Sequence, residues 1–87
     1  MDLKEIFEQA VIDSKELSTR PSNDSLLQLY SFFKQATTGD VNVDAPSNPF
    51  DFVNKAKYEA WCNLKGKTKE EAMQAYIKLV NNLQDKS

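Results

Sequence analysis

Histidine is absent from this 87-residue chain, cysteine occurs once, glycine twice and proline three times. Each shortage removes a class of chemistry. Without histidine the commonest general base is missing, and with Cys62 as the only thiol most transition-metal sites go with it. No catalytic residue and no metal site are therefore expected. A single cysteine forms no intrachain disulfide, which suits a reducing compartment. Gly39 and Gly66 do not make a phosphate-cradling loop. Strong charge of one sign is lacking too: 11 basic against 13 acidic residues leave a net charge of −2. Nucleic-acid binding, which needs a basic face, is not expected, and any anion site has to be local, built from a few placed lysines. No apolar run approaches the length of a membrane span, and Met1-Asp2-Leu3-Lys4-Glu5 holds no apolar signal region. The expectation is an intracellular, cytoplasmic protein without stable membrane insertion.

What is present is helical periodicity. Hydrophobic residues make up 40% of the chain and charged residues 28%, the balance of a soluble folded protein, and the length allows one small domain over 1–87. Leu3, Ile6, Phe7, Ala10, Val11, Ser14 and Leu17 recur at helical spacing, predicting an amphipathic helix over about 3–17. Pro21-Ser22-Asn23-Asp24 breaks the pattern and offers N-caps. Leu26, Leu29, Tyr30 and Phe33 stripe a second helix over about 23–37, with Leu27 and Phe32 widening its apolar face and Gly39 as its stop. The turn formers between Asp40 and Pro49 read as the one long loop. Val53, Ala56, Tyr58, Ala60, Trp61 and Leu64 predict a third helix ending at Gly66. Thr68 with Glu71 is a capping box that opens a fourth, striped by Ala72, Ala75, Tyr76, Leu79, Val80 and Leu83. Two short connections and one long one predict an all-α four-helix bundle in which the second and third helices run in the same direction, leaving a bowl between helix ends.

The chemistry concentrates in Tyr30, Phe33 and Lys34, which lie at i, i+3 and i+4 on one side of a helical turn. From spacing alone, rings at helical spacing are more often core. Yet Leu26, Leu27, Leu29, Tyr30, Phe32 and Phe33 cover over half of the helix circumference, more than one buried stripe needs. A ring offers a stacking surface for a base, and an ammonium one turn away offers a partner for a phosphate. Lys55 and Lys57 point to different sides of the third helix, and Lys57 can share an anion with Lys34. Trp61, one turn beyond Lys57, reads as core. Tyr58 and Tyr76 carry hydroxyls that need partners if buried. Glu70 and Glu71 are explained by the helix dipole and the capping box, so no acid/base pair asks for a catalytic role.

Three blocks resemble the acyl-CoA-binding protein family: Tyr30-Ser31-Phe32-Phe33-Lys34-Gln35-Ala36-Thr37-Thr38-Gly39-Asp40-Val41-Asn42, then Lys55-Ala56-Lys57-Tyr58-Glu59-Ala60-Trp61 with Leu64-Lys65-Gly66, then Glu70-Glu71-Ala72-Met73-Gln74-Ala75-Tyr76. Their order and separation carry the likeness along nearly the whole chain. The resemblance implies an up-down-down-up bundle of the acyl-CoA-binding protein type. It also implies a non-enzymatic carrier and pool former for long-chain fatty acyl-CoA thioesters, with no cofactor besides that ligand. It places the adenine and its 3′-phosphate near Tyr30, stacks adenine on Phe33, and sets Lys34 and Lys57 against the phosphate. Tyr76 and Lys15 add contacts, and Val11, Leu26 and Leu27 cover the acyl chain. Acyl-CoA-using enzymes are the implied transient partners of a monomer. The chain departs from the family at Phe33, where tyrosine is usual, at Tyr58, where tryptophan is frequent, and in a loop through Pro46-Ser47-Asn48-Pro49 that is one residue longer than the common pattern. Two other readings compete: a protein-interaction module whose bowl receives a partner helix, and, more weakly, a thioesterase.

Overall fold

In the computed structural model, which describes residues 2–85, each helix begins where a short polar side chain takes over a free backbone donor. The Asp2 carboxylate accepts from the Glu5 N–H at 2.9 Å and opens α1 (Leu3–Ser14). Ser22 accepts from the Ser25 N–H and opens α2 (Asn23–Thr37). Asp51 holds Asn54 through both backbone and side-chain amide and opens α3 (Phe52–Cys62). Thr68 and Glu71 exchange their backbone donors at 3.0 and 3.1 Å, the reciprocal capping box expected at the start of α4 (Lys69–Asp85).

Two ends fall earlier than the periodicity suggests. The first helix stops at Ser14, not near residue 17, and the third at Cys62, not at Gly66. After Ser14 the chain tightens into i→i+3 bonds, Lys15 N–H to Ile12 O and Glu16 N–H to Asp13 O, while the Ser14 hydroxyl bonds back to Val11 O at 2.7 Å. The same tightening follows Cys62, where Leu64 N–H bonds Trp61 O and Lys65 N–H bonds Cys62 O. Such turns keep apolar spacing for a few residues without continuing the α-helix. Gly39, at φ +94°, donates to Lys34 O and Gln35 O and closes α2 in the left-handed cap that favours glycine.

Helix α2 packs on both α4 and α3, and α1 packs on α4, giving the lateral order α1, α4, α2, α3. Directions follow from the contacts. Trp61 at the end of α3 bonds to Gly39 just past the end of α2, while Lys57 sits over Tyr30 one turn back on both helices, so α2 and α3 are parallel. Gln35 near the end of α2 reaches Lys67 just before α4, so those two are antiparallel. Asp13 in the last turn of α1 and Glu16 just past it share a crevice with Gln84 at the end of α4, so these two helices run together. This is the up-down-down-up bundle. Its core is Phe7, Ala10, Leu29, Ala36, Ala72, Tyr76 and Val80, to which α1, α2 and α4 each contribute an alanine. The layer is thin, 39 × 27 × 15 Å, and leaves both sides of α2 open to grooves.

Candidate ligand-binding site

Lysines and rings are interleaved across the α2–α3 seam. On α2 the order along the chain is ring then lysine, Tyr30 and Lys34. On α3 it is lysine then ring, Lys57 and Trp61. Each pair is i, i+4 and so occupies one side of its helix. Because the helices are parallel, each lysine meets the ring opposite: Lys57 Nζ is 5.3 Å from the Tyr30 centroid and Lys34 Nζ 4.9 Å from the Trp61 centroid. Cation–π contact fixes the two ammonium groups without neutralising them. Neither has a carboxylate partner among the described residues. Trp61 is held by its own Nε1–H, which donates to Gly39 O at 2.9 Å, and it is 3% exposed.

Phe33 stands on the other flank of α2, facing α1. Its ring stacks on Phe7 at 6.1 Å and tilts against Tyr76 at 6.5 Å, while Phe7 meets Tyr76 edge-on at 5.2 Å. Phe33 is the outer ring of this trio, 38% exposed against 4% for both Phe7 and Tyr76. It therefore offers a supported aromatic face to a ligand. The Tyr76 hydroxyl donates to Ser14 Oγ at 2.9 Å, which leaves its oxygen lone pairs to accept.

The nine residues singled out from the sequence divide between places. Tyr30, Lys34 and Lys57 come together at the α2–α3 seam. Phe33 and Val11 share a crevice of about 660 Å³ between α1, α2 and the start of α4. Leu26 and Leu27 line a separate groove of about 620 Å³ between the first halves of α2 and α3, along with Tyr30 and Lys57. The proposed apolar set is thus split: Val11 lies on the opposite flank of α2 from Leu27. Tyr76 lies beneath Phe33. Lys15 caps α1, is exposed, and lines neither groove.

A polar latch braces the site from below. Gln35, fully buried, donates through Nε2 to Asp40 Oδ1 at 2.9 Å and to Lys67 O at 2.7 Å. Asp40 Oδ1 also accepts from the Gly66 N–H at 2.9 Å. The Gly66 backbone donor, then Gln35, and more remotely the Lys65 charge hold the Asp40 carboxyl below its ordinary range against a smaller opposing effect of burial. Within α3 the Cys62 thiol, with burial, holds the Tyr58 hydroxyl above its ordinary range.

Two contributors escaped the reading of the sequence. Trp61 was assigned to the core, and it is buried, but its ring face also seats Lys34. The signal was available in the reversed order of ring and lysine on two helices expected to be parallel. Phe7 read as one member of an apolar stripe, and nothing in that spacing marked it as the backing of Phe33.

These features define a small all-α binding protein whose site lies on an open helical face instead of in a closed interior. Residues 4–80 match the family model described as acyl CoA binding protein. An acyl-CoA-binding protein homolog 1 from Caenorhabditis elegans is 48% identical over 77 residues, 88% of each chain. The acyl-CoA-binding protein of Saccharomyces cerevisiae is 44% identical over 81 residues, 93% of this chain and 92% of the yeast one. Among solved structures, Oryza sativa acyl-CoA-binding protein 2 superposes with a TM-score of 0.91 at 39% identity, covering 98% of this chain and 93% of its own. The corresponding protein of Moniliophthora perniciosa superposes at 0.90 with 38% identity, covering 99% and 83%. The chain belongs to the acyl-CoA-binding protein family.

Proposed function

We propose that this protein is a carrier for long-chain fatty acyl-CoA thioesters, acting as one domain without a catalytic centre or cofactor. The observation that carries the reading is the pair of lysines, Lys34 and Lys57, each resting on a ring of the neighbouring helix with no carboxylate among the described residues to neutralise it. A phosphate monoester such as the 3′-phosphate of coenzyme A carries about −1.5 to −2 at neutral pH. Two uncompensated ammonium groups beside Tyr30 suit that charge, and charge-assisted bonds are the stronger kind. Phe33, backed by Phe7 and Tyr76, supplies a stacking face for adenine. Tyr76 contributes mainly by positioning Phe33, and Lys15 is an exposed cation at the end of α1.

The two apolar grooves flank this head-group site. Leu26 and Leu27 are the better cover for the tail, because their groove runs directly from Tyr30 and Lys57; Val11 borders the ring pocket. A sixteen-carbon tail at about 0.8 kcal/mol per methylene contributes up to roughly 11 kcal/mol before ordering costs. The groove is open, so the realised gain is smaller, yet affinity should rise with chain length. Among the described residues no helix is long and apolar enough to cross a membrane. The role that fits is a monomeric cytoplasmic buffer that shields the thioester and releases it to acyl-CoA-using enzymes.

The test compares palmitoyl-CoA with its 3′-dephospho form by calorimetric titration. Loss of the phosphate removes both lysine contacts at once and should weaken binding by about 100-fold or more, each charge-assisted contact being worth about tenfold or more. Equal affinity for both esters would remove Lys34 and Lys57 from their assigned role.

A further inference from the structure

The α2–α3 groove is cationic at both ends and apolar between them. Along α2 its wall runs from Asn23 through Leu26 and Leu27 to Tyr30, and along the parallel α3 through Val53 and Ala56 to Lys57. Tyr30 and Lys57 therefore close one end. Arg20, three residues ahead of α2, closes the other together with Asn23. No aspartate or glutamate lines this groove, and among the described residues no carboxylate pairs with Arg20.

The chain around Arg20 sets its position. Pro21 restricts the residue before it to extended backbone. Ser22 is tied into the start of α2, accepting from the Ser25 N–H at 3.2 Å and donating its hydroxyl to Ser25 Oγ at 3.1 Å. The guanidinium thus has a fixed root, while its head is exposed and carries a permanent positive charge.

Length and charge decide what such a groove fits. The stretch of α2 from Asn23 to Tyr30 rises about 10 Å. Staggered carbon–carbon bonds of about 1.5 Å advance about 1.25 Å each, so about eight to ten methylenes span it. A simple alkyl tail of that length sets its terminal methyl against a guanidinium and an amide, and uses neither. A tail that ends in a carboxylate meets a planar fork of donors suited to two parallel N–H···O bonds.

We propose that the Arg20–Asn23 end of the groove is a subsite for the terminal carboxylate of ω-carboxyacyl-CoA thioesters, so that the protein carries dicarboxylic as well as simple acyl chains. The subsite rests on the carrier reading and narrows it to a substrate class, a thioester whose apolar chain is charged at both ends. The pair forms at an open surface and stays partly hydrated, so it is weaker than a buried one.

The experiment is titration calorimetry of the full chain with lauroyl-CoA and dodecanedioyl-CoA, on the wild type and on Arg20→Met, which keeps an unbranched stem without the charge. The wild type should bind the two esters within about fivefold of one another, the ion pair offsetting the cost of placing a carboxylate beside an apolar wall. Arg20→Met should bind dodecanedioyl-CoA about five- to tenfold more weakly than the wild type does, with lauroyl-CoA unchanged. Added salt should shrink that difference. Hexanedioyl-CoA, too short to span the groove, should be indifferent to the substitution. Equal losses for lauroyl-CoA and dodecanedioyl-CoA would overturn the proposal by assigning Arg20 to the coenzyme A phosphates. An equal loss for hexanedioyl-CoA would do so by reducing Arg20 to general charge attraction, and so would no loss with any ester. If the wild type binds lauroyl-CoA but Arg20→Met leaves the ratio of the two esters unmoved, the subsite alone fails. If the wild type binds none of the esters, the carrier reading fails and the subsite with it.

Discussion

The Lys57 ammonium lies 5.3 Å from the centroid of the Tyr30 ring on the parallel helix beside it. This pairing, with its counterpart between Lys34 and Trp61, is the arrangement on which the proposed anion site rests. The rings hold the lysines in place, and among the described residues neither has a carboxylate partner.

Lys34→Ala and Lys57→Ala should each weaken palmitoyl-CoA binding by about 10- to 100-fold, the range of a lost charge-assisted contact. Folding should suffer little, since an exposed cation–π contact is worth only about 0.5–1 kcal/mol. Titration calorimetry with thermal melts on both variants checks the pair. A large drop in Tm with unchanged affinity would make these lysines structural.

Phe33→Ala should cost affinity for palmitoyl-CoA and for free coenzyme A by the same factor, because the proposed role of the ring is toward the head group and not the tail. Base stacking on an aromatic side chain is worth about 1–3 kcal/mol, or roughly 5- to 150-fold. Phe33→Tyr should retain stacking. The comparison is read from the ratio of the two affinities in each variant, which should stay constant.

Trp61→Phe removes the Nε1–H that donates to Gly39 O and leaves that carbonyl without its partner. With the volume lost in a site only 3% exposed, destabilisation of about 1–3 kcal/mol is expected. At about 4–8 °C per kcal/mol for a domain of this size, the loss should be plain in a melting curve. Lys34 loses its broad seat in the same variant, so affinity should fall as well.

Stability should decline in acid through Asp40 and Glu71. Both carboxyls sit below their ordinary values of 3.8 and 4.5 in the fold, Asp40 through the Gly66 N–H and Gln35, Glu71 through the Thr68 backbone and hydroxyl. A carboxylate depressed by folding binds its proton more readily in the unfolded chain. Its contribution is therefore complete above the ordinary value and is lost as pH falls through the folded one. Melting temperatures should be level from pH 7 to about 5 and fall below about 4. Asp40→Asn, which keeps an acceptor for Gln35 and Gly66, should flatten part of that fall; an unaltered acid profile would contradict the latch.

The bundle was largely legible in the sequence because its signals are local. Helix α2 runs over 23–37 as the stripe from Leu26 to Phe33 and the stop at Gly39 suggested, and of the N-cap candidates in Pro21-Ser22-Asn23-Asp24 the fold uses Ser22. The capping box at Thr68 and Glu71 stands as read. Leu17 and Leu64 misled because tight i→i+3 turns carry helical spacing past the true end of a helix. The site was legible in its members but not in its grouping. Which flank of α2 each residue serves depends on how α1 and α3 are placed, and that separation of Val11 from Leu27 is a tertiary fact. Gln35 gave no hint of its part: a glutamine in a helix reads as solvated, and its bonds to Asp40 and Lys67 join segments brought together only by the fold.

The most direct measurement is calorimetric titration of the delipidated protein with palmitoyl-CoA, alongside free coenzyme A and palmitate. The head-group site and the apolar groove act on one molecule, so the ester should bind one to one and far more tightly than either part alone. No heat with any of the three, or equal affinity for the ester and for palmitate, would contradict a carrier built around Tyr30, Lys34 and Lys57.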